Sequence, residues 1–249
     1  MTLHKNERLD YVNDSLSLIQ KTDGLTFGTD ALLLAGYVFG RFRSGLEIGG
    51  GSGIISMLLL TRGKLDFCDC IEVQAEYAEL IERNAELNRL SDRLTAVCAD
   101  IRDFRPSSEY ELVFSNPPYM KSTSGAHNQK TAKTVARHEI NGDISDFISS
   151  AAKLLKYGGT FAAVYRPDRL CDLIAAMRQS KIEPKRMTFV HADTESEPSM
   201  LLVEGKKGGR CGMKSTKPLI IYRDKAHKEY SDDMNYIMEE GSFPSEYKR

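Results

Sequence analysis

Short apolar runs alternate along this chain with longer amphipathic ones. Gly45–Gly49, Leu65–Val73, Leu94–Ala99, Glu111–Ser115, Thr160–Tyr165, Arg186–His191 and Met200–Glu204 have the length and apolar character of buried strands. Between them Ile54–Thr61, Ala75–Leu87, Asp143–Leu155 and Asp168–Ser180 read as helices. In the second helix Tyr77, Leu80, Ile81 and Leu87 recur near helical spacing. Gly158-Gly159 is expected to stop the third. Alternating apolar strands and helices predict an α/β fold, a parallel sheet covered on both faces. In such sheets ligands sit beyond the carboxyl ends of the strands, so the residues just after each strand are the candidates for chemistry.

Composition narrows the class. The 249 residues are 41% hydrophobic and 28% charged, which excludes a disordered, collagen-like or coiled-coil chain. The longest apolar stretches, such as Ala31–Ala35 and Ile54–Leu60, fall far short of the ~20 residues of a membrane span. The N-terminus lacks the apolar segment of a signal peptide, so a cytoplasmic protein is expected. Cys68, Cys70, Cys98, Cys171 and Cys211 contain no C-x-x-C pair, and neither a disulfide nor a metal is expected.

The net charge of −1 points to no partner, but its distribution does. Ser115–His138 contains no acid and carries Lys121, Lys130, Lys133 and Arg137. Lys206–Arg223 again has no acid, and its cations include Lys206, Lys207 and Arg210 beside Gly205, Gly208 and Gly209. Two cation-only segments suggest a polyanion footprint, with the late one as a flexible loop; the plainer reading is two solvated loops balanced by acids elsewhere.

Four successive strand ends carry unusual residues. The first is followed by Glu47-Ile48-Gly49-Gly50-Gly51-Ser52-Gly53. Neither the dinucleotide fingerprint G-x-G-x-x-G nor the nucleophile elbow G-x-S-x-G fits, because both need glycine where Ile54 stands. What remains, E-x-G-x-G-x-G, resembles the first motif of Rossmann-like class I S-adenosylmethionine-dependent methyltransferases. That resemblance makes Glu47, Gly49, Gly51 and Gly53 a loop around the methionine part of the cofactor. Glu72, with Val73 beside it, ends the second strand, where an acid can accept both ribose hydroxyls. The same resemblance gives Asp100, after the third strand, the adenine amino group, and Ile101 an apolar contact with the ring.

Asn116-Pro117-Pro118-Tyr119 follows the fourth strand. A plain proline turn could stop a strand here. The same tetrapeptide can also activate an amino group on a planar ring, whose lone pair is delocalised. Hydrogen bonds from its two N–H groups to the Asn116 side-chain oxygen and the Pro117 carbonyl favour a pyramidal nitrogen and aim its lone pair. The prolines hold that carbonyl rigid, and Tyr119 offers a stacking face to an extruded base. N-P-P-Y in this position resembles the motif of enzymes that methylate amino groups of adenine, cytosine, guanine or protein glutamine.

The resemblance extends along most of the chain. It includes Glu7–Asp10, Leu18–Gln20, Phe27–Ala35, Asn116–Lys121, Ala136–Glu139 and Leu202–Gly205. Together these resemble the bacterial tRNA methyltransferases that modify the 6-amino group of the adenine beside the anticodon of a valine tRNA. The family implies a mostly parallel seven-stranded sheet with its last strand antiparallel, S-adenosylmethionine as cofactor and tRNA as partner. It sets Phe27–Asp30, with Gly28 and Thr29, against the cofactor. Arg137, His138 and the late basic loop (Lys206, Lys207, Arg210) fall on the RNA side, and Lys121, Lys130 and Lys133 flank the catalytic turn. One methyltransferase domain is expected over 1–249, with a cofactor-capping segment (1–44), a catalytic core (45–222) and a C-terminal tail (223–249). Gly50 departs from the pattern, standing where a small hydroxyl residue is commoner. The rivals are protein glutamine methylation, DNA adenine methylation and a cofactor-binding RNA module without turnover. The first two resemble longer architectures than this chain offers, and an intact N-P-P-Y argues against the third.

Overall fold

A computed structural model of the chain describes residues 3–22, 24, 27–117 and 144–248. The seven long strands of the main sheet are β3 (Phe42–Ile48), β4 (Leu65–Glu72), β5 (Leu94–Cys98), β6 (Tyr110–Ser115), β7 (Leu155–Tyr165), β8 (Ile182–His191) and β9 (Pro198–Lys207). They lie in the order β5-β4-β3-β6-β7-β9-β8. All run in one direction except β9, which is antiparallel to both neighbours. Two further strands, β10 (Lys214–Ser215) and β11 (Leu219–Ile220), pair in parallel with β8 and raise the sheet to nine strands. Two-residue strands carry no periodicity, so the sequence pattern could not announce them.

Helices cover both faces, as the alternation requires. α1 (Thr29–Tyr37), α2 (Ile54–Thr61) and α3 (Ala75–Leu87) pack with Leu112, Phe114 and Val164 on one side. α4 (Ile144–Leu154) and α5 (Leu170–Gln179) pack with Leu46, Val113 and Phe161 on the other. Every residue of α2 from Ile54 to Leu60 is buried, which is why its sequence shows a run and no stripe.

One expectation is corrected. Gly158-Gly159 does not stop a helix; α4 ends at Leu154 and both glycines lie inside β7. Gly158 there has φ +75°, at a register shift that sets Leu155 against Tyr110 and Thr160 against Leu112. The C-terminal tail packs on the core. α6 (Asp232–Glu240) is followed by Phe243 and Tyr247, both fully buried, and Phe243 meets the Tyr37 ring edge-on at 5.3 Å. Arg186, on β8, stands 3.7 Å from the Tyr37 ring centre, donates to the Tyr247 carbonyl at 2.9 Å and pairs with the buried Glu204 carboxylate at 2.6 Å.

The N-terminal segment folds as a separate antiparallel hairpin, β1 (Glu7–Asn13) with β2 (Leu16–Lys21). Its outer edge docks on α3 through two asparagines: Asn88, at the end of the helix, accepts from Ser17 N at 3.0 Å and donates to the Ser17 carbonyl at 2.8 Å, and Asn84 does the same for Ile19 one turn earlier. Asn84, fully buried, accepts from Ile19 N at 2.7 Å and donates to the Ile19 carbonyl at 3.1 Å and the Ser52 carbonyl at 3.0 Å. Asn84 therefore substitutes for a pairing strand and ties the hairpin to the glycine turn.

Candidate active site

The chain leaves β3 toward β4 and β5 on one side and later returns to β6 on the other. The ends of β3 and β6 thus flank the topological switch point, where open α/β sheets form their crevice. Buried Ser115 joins the two ends, its hydroxyl donating to the Ile48 carbonyl at 2.6 Å. That bond brings Asn116, one residue on from Ser115, beside Gly49, one residue on from Ile48.

The glycine turn is a left-handed sequence of residues. Gly49, Gly51 and Gly53 have φ +73°, +56° and +79°, which only glycine adopts without strain. A Cβ on Gly49 or Gly51 would meet nothing within 4 Å, so these two backbones face open space. Gly50 differs: its Cβ would fall 2.1 Å from the Cys70 sulfur. The departure at Gly50 is thus forced by a thiol on the neighbouring strand.

Glu47 lies under this turn. Only 1% of its surface is exposed, and it accepts from Ser56 N at 3.0 Å and from the Ser56 hydroxyl. It braces the start of α2 from below instead of lining the crevice. Burial pushes its carboxyl up to about 7, against the hydrogen bonds from Ser56. Glu72, at the end of β4, accepts from Gly51 N at 3.1 Å and from Gln74 N at 3.0 Å. Val73 is exposed beside it. Asp100 follows β5, and its carboxylate is gripped by Arg102, whose hydrogen bonds hold it below the ordinary carboxylate range. Ile101 packs on the core beneath.

Adjacent strands are about 4.8 Å apart, so Asn116, Gly49, Glu72 and Asp100 mark four neighbouring ends across roughly 14 Å. Gly28 precedes α1 in extended conformation and Thr29 opens the helix. The next residue, Asp30, reaches the site itself: Asn116 Nδ2 donates to Asp30 Oδ2 at 2.8 Å. Beside them lies an open cavity of about 330 Å³ lined by Thr29, Asp30, Arg166, Ser199 and Met200.

The described chain belongs to a known class. A model of the methyltransferase small domain matches residues 21–180. The chain belongs to the methyltransferase small domain family. Within it, the chain is 32% identical over 208 residues to the tRNA1(Val) (adenine(37)-N6)-methyltransferase of Porphyromonas gingivalis, covering 78% of this chain and 80% of that one. It is 27% identical over 185 residues to the protein of the same name from Flavobacterium johnsoniae, covering 73% and 78%. Among solved structures, a predicted O-methyltransferase from Agrobacterium tumefaciens superposes with a TM-score of 0.69 at 23% identity, over 86% of this chain and 98% of that one. The geranyl diphosphate C-methyltransferase of Streptomyces coelicolor, in complex with S-adenosyl-L-homocysteine, gives 0.55 at 13%, over 72% and 78%. These structures share the fold of this methyltransferase.

The crevice fits S-adenosylmethionine on two observations: open space over two left-handed glycines, and a buried strand-end carboxylate, Glu72, next to them. Not every expected residue is gathered here. Lys206 and Lys207 are not in a flexible loop; β9 runs through both, beside Thr160 of β7 and Ile182 of β8. They mark the amino ends of the parallel strands, opposite Asn116, because β9 is antiparallel. The Lys206 ammonium donates to the Thr160 hydroxyl and that of Lys207 to the Leu155 carbonyl. Arg210 is exposed just beyond them. Pro117 is buried next to Asn116, whereas Pro118, Tyr119, Lys121, Lys130, Lys133, Arg137 and His138 lie outside the described residues.

Ser115 and Arg166 were not expected as site-building residues. Asp30 was expected within the Phe27–Asp30 segment set against the cofactor, but its partner Asn116 was not. Ser115 and Arg166 end strands in the plain sense and carry no motif. Among the described residues no group of three or more His, Cys, Asp or Glu could hold a metal, and no helix is long and apolar enough to cross a membrane.

Proposed function

We propose that this methyltransferase transfers a methyl group from S-adenosylmethionine to the exocyclic 6-amino group of an adenine in tRNA, in the cytoplasm. The observation that carries the reading is Asn116 at the end of β6, tied through Ser115 to the strand that opens the glycine turn. The named function of relatives up to 32% identical supports both the base and the RNA class. Bound in the crevice, S-adenosylmethionine supplies a methyl whose bond to sulfur breaks with the electron pair left on sulfur. Gly49, Gly51, Gly53 and Glu72 hold the donor, with Val73, Asp100, Ile101, Gly28 and Thr29 around it.

The chain's own part in the reaction is orientation. Asn116 Oδ1 and the Pro117 carbonyl accept the two N–H groups of the target amine, which turns its lone pair out of conjugation. That lone pair forms the new nitrogen–carbon bond, and one N–H proton then leaves to water. No base is needed before attack, since the amine is already the nucleophile. The cavity beside Asn116 supplies room for an extruded base.

The test is transfer of labelled methyl into tRNA from cells lacking the enzyme, with ribosomal RNA, duplex DNA and a protein extract in parallel. Label in tRNA, recovered as 6-methyladenosine, is expected. Asn116→Ala should lower the rate on the order of 100-fold or more with cofactor affinity within about twofold. Label in protein alone would move the assignment to glutamine methylation. No label with tight RNA binding would make the chain a binding module.

A further inference from the structure

An asparagine amide has two ends of nearly the same shape and opposite hydrogen-bonding character. Only the oxygen end can receive an N–H from a target amine; the nitrogen end would oppose donor to donor. Something must therefore choose which end faces the crevice. In this chain the chooser is in view. Asn116 Nδ2 lies 2.8 Å from Asp30 Oδ2, and a carboxylate oxygen accepts hydrogen bonds without donating any. The contact is compatible with one amide orientation alone, the one that leaves Oδ1 for the crevice.

Asp30 is itself held. Its other oxygen, Oδ1, accepts from Ala31 N at 2.9 Å in the first turn of α1, where the orphan backbone donors of a helix favour a negative group. The segment before it is anchored as well. Phe27 N donates to Oε1 of the buried Gln20 at 2.8 Å, and Gln20 Nε2 donates to Asp10. The carboxylate thus reaches Asn116 from a helix start fixed to the N-terminal hairpin, 86 residues away in sequence. Asp30 also forms part of the wall of the cavity beside Asn116.

We infer that Asp30 is a positioning residue that sets the Asn116 amide with its oxygen toward the crevice, and so selects target groups that donate N–H over those that only accept. The inference rests on the reading of Asn116 as the acceptor for an amine. It also gives Asp30 a different task from contact with the cofactor.

Two variants separate this role from folding. Asp30→Asn keeps the size of the side chain but can pair with either end of Asn116; Asp30→Ala removes the contact. Both are expected to lower kcat for methylation of the tRNA, the Ala variant on the order of tenfold and the Asn variant less. The KM for tRNA and the Kd for S-adenosyl-L-homocysteine should stay within about twofold of the wild type. A second readout needs no turnover. In protein labelled with 15N-asparagine, the side-chain NH2 signal of Asn116, identified by its loss in Asn116→Ala, should show one proton shifted downfield and slowed in exchange. Asp30→Ala should return it to the position of a free amide at unchanged far-ultraviolet circular dichroism.

An Asn116 amide signal indifferent to Asp30→Ala, or kcat unchanged in that variant, would overturn the inference. A wild type that methylates no RNA yet shows the Asp30-dependent amide signal would overturn the substrate reading and leave the positioning role supported.

Discussion

Asn84 gives the sharpest test of how the N-terminal hairpin is held against the glycine turn. Replacing it with alanine deletes three hydrogen bonds at once, to Ile19 N, the Ile19 carbonyl and the Ser52 carbonyl. The site is fully buried, so water does not readily replace the lost partner. Each buried backbone group left without a partner costs about 1–3 kcal/mol, the N–H most strictly, so a total of about 3 kcal/mol is expected. For a chain of this length 1 kcal/mol moves Tm by about 2–4 °C, which predicts a fall of roughly 10 °C by calorimetry. Asn84→Asp should lose at least as much, because it turns a carboxylate toward two carbonyl oxygens. Titration with S-adenosyl-L-homocysteine should weaken several-fold, since the Ser52 carbonyl belongs to the turn. A Tm within about 3 °C of the wild type in both variants would refute the view that Asn84 takes the place of a pairing strand at Ile19.

Three further outcomes follow from buried charges and from sheet direction. Glu47 is raised from 4.5 to about 7, so between those values the folded chain keeps a proton that the unfolded chain has lost; the stability this carboxyl contributes is fully present below pH 4.5 and is lost as pH rises to about 7, by about 3 kcal/mol. Denaturant titrations of wild type and Glu47→Gln across that range should diverge by this amount in favour of the variant, and parallel curves would contradict it. Arg186→Met removes the cation facing buried Glu204 and the donor to the Tyr247 carbonyl; it should cost about 3–5 kcal/mol and speed tryptic cleavage of the tail, and adding Glu204→Leu should restore part of the stability. Neutralising Lys206, Lys207 and Arg210 to glutamine should leave the salt dependence of RNA binding within about one unit of slope, because β9 carries them to the end of the sheet opposite Asn116; a slope flattened by two or three units would return them to the footprint.

The parts of this protein legible in its sequence are those that local chemistry decides. Strands β3 to β6 and helices α2 and α3 could be read from periodicity and glycine punctuation, because a buried strand or helix must be apolar wherever it meets its neighbours. The glycine turn was equally legible, since positive φ at Gly49, Gly51 and Gly53 restricts the residue type without reference to the rest of the chain. Asn116-Pro117 at a strand end is a local arrangement of the same kind. The relation between such segments is a different matter. The cationic run from Lys206 looked like one more strand-end loop until the antiparallel course of β9 carried it away from the site. The Asp224–Arg249 tail carries too short a pattern to announce its packing: its helix α6 buries only Met234 and Ile237, and Phe243 and Tyr247 are single side chains inserted against Tyr37 and Arg186. Glycine at position 50 follows from Cys70, and the orientation of Asn116 follows from Asp30, 86 residues before it. A backbone's allowed angles and a helix's apolar face are properties of neighbours in sequence. Which thiol fills a gap, or which carboxylate turns an amide, depends on pairs that only the packed sheet brings within 4 Å.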